Sequence, residues 1–271
     1  MKFLNNISFL SQLTYRNACT YFKDREIPNN DELLHNSLIW LGHATIIMNI
    51  DGKIILTDPV MASFLGNLKR LVELPFCPST FKIDYILLSH GHTDHIHFPS
   101  LRKLNKDATV IVPNGYVNPL KLLGFKKVVL LHGDESYEDE NIKIDCFDAN
   151  HDGRRFYLGN NSRSNSYLIT RNNKKIFFAG DTAFTYNFKD INCDLALMPV
   201  GCYKPDRFSK MHCTPEQSYD MFKMMNCTTM IPIHYKTFSL SLENTEETLE
   251  KLQNLNDQSV NLINIGQYFP L

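Results

Sequence analysis

The chain has 271 residues, of which 43 % are hydrophobic and 21 % charged, and its formal net charge is -1 at pH 7. This composition is ordinary for a globular protein with a sizeable core, and the balanced charge gives no electrostatic basis for binding nucleic acid. Seven cysteines, an odd number without a C-x-x-C pair, argue against a disulfide framework or a thiolate zinc cluster. They favour a reducing compartment such as the cytoplasm.

Polar residues interrupt the apolar residues throughout the first 23 positions. They lack the continuous apolar core of a signal peptide and the roughly 20 apolar residues of a membrane span. We expect residues 1–36 to form an N-terminal helical extension packed on one domain that comprises residues 37–271. The alternative is an amphipathic helix on a membrane surface, which keeps peripheral membrane contact open.

Strand patterns begin after residue 36. Residues 38–41, 45–50 and 53–57 are predicted strands, and Asp51-Gly52 between the last two is typical of a hairpin turn. Residues 60–80, which include Pro75 and Pro78, are expected to form a loop with at most a short helix.

Four short apolar runs follow, each bounded by turn residues, at residues 85–88, 176–179, 195–198 and 230–233. Such runs are typical of strands that are buried on both faces. Three of them are followed closely by a possible ligand, namely His90, Asp181 or His234. Strand ends are where layered α/β folds gather ligands.

Helices are expected between and after these strands. Pro99 opens one near Phe98, and Thr214 with Gln217 forms a capping box for another. A third begins near Asn244 and has leucines on one face. The sequence therefore predicts an α/β protein in which two sheets carry helices on their outer sides.

The run His90-Gly91-His92-Thr93-Asp94-His95 places four possible metal ligands within six residues, between a strand and a helix. Imidazole and carboxylate groups bind zinc and similar cations, and a solvated histidine cluster is the alternative. Neighbouring ligands in one loop diverge, so two ions are expected. Their remaining ligands come from three residues near strand ends, His151, Asp181 and His234. A carboxylate such as Asp181 can bridge two cations, whereas a neutral imidazole cannot.

This constellation resembles the metallo-β-lactamase superfamily, whose members are αββα four-layer sandwiches. The resemblance implies two divalent metal ions, and zinc is the expected metal. It assigns His90, His92 and His151 to one ion and Asp94, His95 and His234 to the other, with Asp181 shared. Motifs at residues 40–45, 56–59, 178–182, 199–203 and 233–238 resemble the branch that contains N-acyl-phosphatidylethanolamine phospholipase D and the ascorbate-6-phosphate lactonases.

The expected function is hydrolysis by a metal-bridging hydroxide. Asp94 would orient the nucleophile or take its proton, and His212, ahead of the Thr214 cap, would serve the leaving oxygen. The resemblance favours a small-molecule or lipid phosphodiester substrate of phospholipase D type. A lactonase, another ester hydrolase, or a metal-binding sensor without turnover are the alternatives. No Gly-x-Ser-x-Gly elbow or glycine-rich phosphate loop occurs.

Several other side chains have two interpretations each. His43 and Asp58 either orient ligand imidazoles or support the hairpin. Tyr203 either lines the pocket or packs, and Arg154 and Arg155 either meet an anionic substrate or are solvated. The remaining histidines His35, His97 and His132 are not expected to be ligands.

Overall fold

The structure is a computed structural model that describes residues 2–158, 163–255 and 257–271. Within these ranges the chain forms a seven-stranded sheet, a six-stranded sheet and a two-stranded hairpin. The strands are β1 Ser37–Gly42, β2 Thr45–Ile50, β3 Lys53–Thr57, β4 Phe64–Leu65, β5 Leu68–Lys69, β6 Tyr85–Leu87, β7 Thr109–Val112, β8 Lys127–Leu130, β9 Ser136–Glu138, β10 Lys143–Asp148, β11 Asn165–Arg171, β12 Lys174–Phe178, β13 Asn192–Pro199, β14 Asn226–Ile233 and β15 Tyr268–Pro270. The α-helices are α1 Lys2–Tyr21, α2 Phe98–Lys103, α3 Val117–Leu122, α4 Pro215–Met224 and α5 Thr245–Leu255.

The seven-stranded sheet has the order β15-β1-β2-β3-β6-β7-β8, and the six-stranded sheet has the order β14-β13-β12-β11-β10-β9. In the first sheet, the pairs from β15 to β3 are antiparallel and those from β3 to β8 are parallel. The predicted hairpin is confirmed, because Asn49 lies opposite Ile54 and Ile50 opposite Lys53. In the second sheet, β12, β13 and β14 are parallel and the remaining pairs are antiparallel.

The hydrophobic core has two parts, divided by the seven-stranded sheet. Alternate residues of β1 belong to different parts: Leu38 and Trp40 face the second sheet, whereas Ile39 and Leu41 face the layer of α2 and α3. This alternation follows from the two-residue period of a strand. On the far side, α4 packs against β13 and β14. The αββα four-layer sandwich is thereby confirmed.

Two helices begin with a side-chain cap, and the cap of α4 is the predicted one. At α4 the Thr214 hydroxyl accepts a hydrogen bond from the Gln217 N–H, and the Gln217 side chain accepts one from the Thr214 N–H. At α2 the cap is His97, whose side chain accepts from the Ser100 N–H. A side-chain cap of the usual polar type contributes about 1 kcal/mol.

The N-terminal helix α1 ends at Tyr21, and residues 22–36 are not helical. Arg16 donates to the carbonyl oxygens of Ser241 and Glu243 at 3.2 and 2.6 Å, and the Asn17 amide donates to the Ser239 carbonyl at 3.0 Å. The helix therefore contacts the loop after β14, while a domain boundary after residue 36 stays a prediction. None of the helices in the described ranges is long and apolar enough to cross a membrane.

The segment predicted as a loop, residues 60–80, contains the β4–β5 hairpin and a 3-10 helix at Pro78–Thr80. Strands of two residues are too short to show a period in the sequence. The same segment places Arg70 in the interior, where only 1 % of its surface is exposed.

Candidate metal centre

Residues 88–97, which carry the predicted ligands from His90 to His95, are called the ligand loop. This loop begins where the buried strand β6 ends. Gly91 donates its N–H to the Gly153 carbonyl at 2.9 Å. A Cβ on Gly91 would overlap the Tyr116 hydroxyl group and lie 2.7 Å from the Gly153 carbonyl oxygen, so no larger residue fits. This close approach clamps the loop against the segment that follows β10. It thereby brings His90 and His92 to His151.

Two groups of side chains meet at this end of the sheets. In the first, ligand atoms of four residues lie within 4.8 Å of one another, and the residues are His90, His92, His151 and Asp181. His151 Nε2 is 3.2 Å from His92 Nδ1, and His90 Nε2 is 3.8 Å from Asp181 Oδ2. Three imidazoles and one carboxylate thus converge on one small volume.

The second group has the same spacing and consists of His43, Asp94, His95 and His234. His95 Nε2 lies 3.3 Å from His234 Nε2 and 3.6 Å from Asp94 Oδ2. Asp181 also reaches this group, because its two oxygens lie 3.0 Å from His234 Nε2 and 3.2 Å from His95 Nε2. Asp181 therefore stands between both groups, where a shared carboxylate is expected.

A buried chain of hydrogen bonds fixes two of the imidazoles from behind. Asp58 is fully buried and contacts His95 Nδ1 at 2.7 Å. It also accepts from the Ser89 N–H at 2.8 Å and from the Ser89 hydroxyl at 2.6 Å. The Ser89 oxygen lies 2.9 Å from His90 Nδ1. With both Nδ1 atoms engaged as donors, the Nε2 atoms of His90 and His95 face the centre.

Two further contacts orient the remaining side chains. His151 Nδ1 lies 2.6 Å from the Met211 carbonyl oxygen, which makes it the donor. His43 Nε2 lies 3.0 Å from Asp94 Oδ2, and the His43 ring centroid is 4.1 Å from that of His234. Both Asp58 and His43 therefore contact predicted ligands from outside, which favours the orienting interpretation over plain hairpin support.

The protonation states at the centre follow from burial and charge. Burial lowers the pKa of His151 to about 4 and the pKa of His90 well below its usual value, so both rings are neutral at pH 7. Burial also acts to lower the pKa of His95, but the carboxylates of Asp181, Asp94 and Asp58 outweigh it and raise that pKa. Burial opposes the ionisation of Asp181, yet His234 and His95 hold its pKa well below its usual value.

The donor set fits divalent cations. Among the described residues, the Nε2 atoms of His90 and His92 are buried without a hydrogen bond, and so is Asp181 Oδ1, which His234 Nε2 approaches to 3.0 Å. Buried polar atoms without a partner are uncommon and often mark an ion that is not shown. Carboxylates beside neutral imidazoles also leave negative charge that needs compensation. The arrangement suits two cations that share one carboxylate.

The rim of the centre carries His212 and Tyr157. His212 Nδ1 lies 3.6 Å from Asp181 Oδ2 and has no hydrogen bond, and burial lowers its pKa well below the usual value. Tyr157 stacks edge-on over His92 at 5.6 Å. Sequence reasoning missed Tyr157 and Ser89, because their roles depend on contacts with residues from the ligand loop.

Other polar residues weighed from the sequence lie outside the centre. Arg154 pairs with Asp152 at 2.5 Å, and Arg155 donates to the ligand-loop carbonyls of Gly91 and Ile96. The Tyr203 hydroxyl lies 3.1 Å from the Thr248 hydroxyl of α5, which favours packing.

The three histidines that were not expected to be ligands are absent from the two groups. His97 caps α2, His35 is largely exposed, and His132 is partly exposed beside Glu135. Cys202 does approach the centre, since its sulfur lies within 4.8 Å of ligand atoms of His212 and His234.

Comparison with known proteins agrees with this geometry. The family model of the Beta-lactamase superfamily domain matches residues 53–235, a range that includes every predicted ligand. A UPF0173 metal-dependent hydrolase of Bacillus mycoides is 30 % identical over 226 residues, which cover 79 % of this chain and 91 % of the relative. The N-acyl-phosphatidylethanolamine-hydrolyzing phospholipase D 1 of Caenorhabditis elegans is 28 % identical over 268 residues, which cover 84 % of this chain and 74 % of the relative.

Among solved structures, an isothiocyanate hydrolase from Delia radicum gut bacteria superposes with a TM-score of 0.70 at 20 % identity. The match covers 87 % of this chain and 99 % of that one, and at this identity it shows the shared fold. The curated relatives named here and the uncharacterised mycobacterial proteins match over 62 % to 91 % of their own length. The chain belongs to the metallo-β-lactamase superfamily and, within it, to the metal-dependent hydrolases.

Proposed function

We propose that this protein is a zinc-dependent hydrolase with two cations that cleaves phosphodiester bonds, with a phospholipid headgroup as the leading substrate. The observation that carries the proposal is Asp181, whose carboxylate lies between two complete groups of ligands. Histidine and carboxylate ligands without a thiolate suit an open catalytic zinc site. When bound, two such cations supply Lewis acidity and lower the pKa of water toward ~7.

The protein's own side chains bind the cations, orient the water and contact the leaving oxygen in this proposal. The triad His90, His92 and His151 is proposed to hold one cation, and the triad Asp94, His95 and His234 the other. Asp94, with one oxygen on His43 at 3.0 Å, orients the attacking water or accepts its proton. That water adds to phosphorus as the bond to the leaving oxygen breaks. His212, a neutral imidazole beside Asp181, donates a hydrogen bond to the leaving oxygen, which takes up the proton that the attacking water released to Asp94.

Two observations favour a lipid phosphodiester. The Caenorhabditis elegans relative is named as a phospholipase D that hydrolyses N-acyl-phosphatidylethanolamine. The segment beside His92 exposes three apolar or aromatic side chains, Phe156 by 69 %, Tyr157 by 57 % and Leu158 by 74 %. Large apolar side chains at a rim provide contact area for acyl chains. Peripheral contact with a membrane and a cytoplasmic location remain parts of this proposal.

The test is a substrate panel with the purified, zinc-loaded protein. It comprises N-acyl-phosphatidylethanolamine in mixed micelles, the same headgroup without acyl chains, a generic aryl phosphodiester, and a sugar-type lactone. We expect the lipid to give the highest kcat/KM. The soluble headgroup should have a lower kcat/KM, mainly because its KM is higher. Asp181→Ala and His92→Ala should abolish turnover, whereas the exposed His35→Ala is the matched control and should be unchanged.

Three outcomes would contradict the proposal in different ways. Turnover of the lactone alone would make the protein a lactonase with the same metal centre. Tight metal binding without turnover of any ester, amide or phosphodiester would favour a metal-binding sensor. Full activity in Asp181→Ala would contradict the shared carboxylate itself.

A further inference from the structure

Arg70 is a buried arginine that the proposed chemistry does not use. Only 1 % of its surface is exposed, and none of the ion pairs found among residues 2–158, 163–255 and 257–271 includes it. Burial lowers its pKa to about 10, so the guanidinium stays charged at neutral pH. A buried charge without a carboxylate is costly unless its donors are satisfied.

The guanidinium satisfies its donors with three backbone carbonyl oxygens. Nε donates to Val72 at 3.0 Å, Nη1 donates to Val60 at 3.0 Å, and Nη2 donates to Leu41. Gly42 permits this approach, because a Cβ there would lie 2.7 Å from Arg70 Nη2. The planar fork of arginine therefore joins the end of β1 to the segments after β3 and β5.

Two of the joined segments carry a residue that orients a predicted ligand. Leu41 lies two residues before His43, whose Nε2 is 3.0 Å from Asp94. Val60 lies two residues after Asp58, whose carboxylate is 2.7 Å from His95 Nδ1. Asp94 and His95 belong to the same group of ligands, the second one.

The ring of Phe238 strengthens the connection to His43. Its centroid lies 5.6 Å from the Arg70 guanidinium carbon and 5.7 Å from the His43 ring centroid, so it packs against both side chains. The neighbouring Thr237 hydroxyl accepts the His43 N–H at 2.5 Å. A shift of the guanidinium would therefore disturb His43 both through the backbone at Leu41 and through the Phe238 ring.

We propose that Arg70 is a positioning residue for the second cation: it fixes the backbone beside both His43 and Asp58, so that these two side chains hold Asp94 and His95 in place. This inference rests on the proposed two-cation function. Loss of partners that orient metal ligands commonly weakens metal affinity by about 10–100-fold. The loss should be larger for the second cation, because Asp58 reaches the first group only indirectly, through Ser89, and Met211 orients that group independently.

The chain offers a matched control. Arg171 also donates to three backbone carbonyl oxygens, those of Ile50, Asp51 and Asn141. These lie at the opposite end of β2 from the metal centre. Arg171→Met therefore removes the same kind of interaction without touching the orienting residues.

The experiment measures zinc affinity one site at a time, by competition with a chromophoric chelator. The His92→Ala background leaves only the second group complete, and the His95→Ala background leaves only the first. Arg70→Met is introduced into each background, with Arg171→Met beside it. We expect Arg70→Met to weaken zinc binding about 10–100-fold in the first background and clearly less in the second, while Arg171→Met changes neither.

Each result has one consequence. Equal losses in both backgrounds, or a loss matched by Arg171→Met, would show general destabilisation and overturn the inference. Unchanged affinity in both would overturn it as well. If Arg70→Met does not fold, Arg70→Lys, which keeps the charge but not the fork, is measured instead and should show a smaller loss with the same selectivity. A wild-type protein that binds fewer than two zinc ions would instead refute the proposed function.

Discussion

Replacement of Asp58 by asparagine tests the orientation of the metal ligands most sharply. The Asp58 side chain is fully buried, and its carboxylate receives the Ser89 N–H, the Ser89 hydroxyl and His95 Nδ1 at 2.8, 2.6 and 2.7 Å. The last two converge on a single oxygen, Oδ2. An asparagine side chain would place an amide NH₂ on one side, which cannot accept a hydrogen bond.

The expected losses of stability and of metal affinity follow from the donors that lose their acceptor. A buried donor without a partner costs about 1–3 kcal/mol, and Asp58→Asn leaves at least one. Metal affinity should fall about 10–100-fold, which corresponds to roughly 1.4–2.8 kcal/mol. The effect should be largest for the cation held by His95, because Ser89 can still contact His90.

The assay compares Asp58→Asn with Asp84→Asn by zinc competition and thermal unfolding. Asp84 is a suitable control because it also accepts a backbone N–H, that of Ile54 at 2.9 Å, but just before the start of β6. Both variants should lower the melting temperature, and only Asp58→Asn should lower zinc affinity. Equal zinc affinity in both variants would refute the reasoning.

Three further predictions follow from the same geometry. His212→Ala should lower kcat about 10²–10³-fold with metal content unchanged, whereas the exposed His35→Ala should leave kcat unchanged; loss of metal in His212→Ala would instead make His212 a ligand. Gly91→Ala should destabilise the protein by about 1–3 kcal/mol or more, since its Cβ would overlap the Tyr116 hydroxyl group; a wild-type melting temperature would contradict the close packing. After removal of metal, the free energy of unfolding should depend on pH, because burial lowers the pKa of His151 from the ordinary 6.5 to about 4 in the fold. The unfolded chain then binds more protons between these values, and stability should fall by about 1.4 kcal/mol per pH unit from pH 6.5 toward pH 4 for this group alone; a flat profile in that window would contradict it.

Local chemistry determines some parts of the fold, and those parts could be predicted from the sequence. The Asp51-Gly52 turn and the strands on either side of it are confirmed residue by residue. The capping box at Thr214 is confirmed as well. In both cases the interacting groups lie within a few residues of each other, so the printed sequence contains the whole interaction.

The candidate ligands could also be found from the sequence, because four of them lie in one dense motif and the other three, His151, Asp181 and His234, lie near strand ends. The side chains that orient these candidate ligands were harder to predict. Ser89 joins Asp58 to His90, and nothing in its neighbourhood along the chain distinguishes it from other serines. Arg70 was missed altogether, since its three acceptors come from segments that only the fold brings together.

The structure also revised the interpretation of the arginines after His151. From the sequence, this arginine pair was expected either to meet an anionic substrate or to be solvated. Arg155 instead donates to the carbonyl oxygens of Gly91 and Ile96 at 3.1 and 3.0 Å, and thereby braces the ligand loop. The sequence could not show this, because carbonyl acceptors look alike at every position.

The central claim is a centre for two cations that share Asp181. Elemental analysis of the purified protein under zinc-replete conditions, compared with Asp181→Ala, tests it most directly. The account predicts two zinc ions per chain in the wild type and a clear loss in the variant. Fewer than two ions per wild-type chain, or an unchanged content in Asp181→Ala, would contradict it.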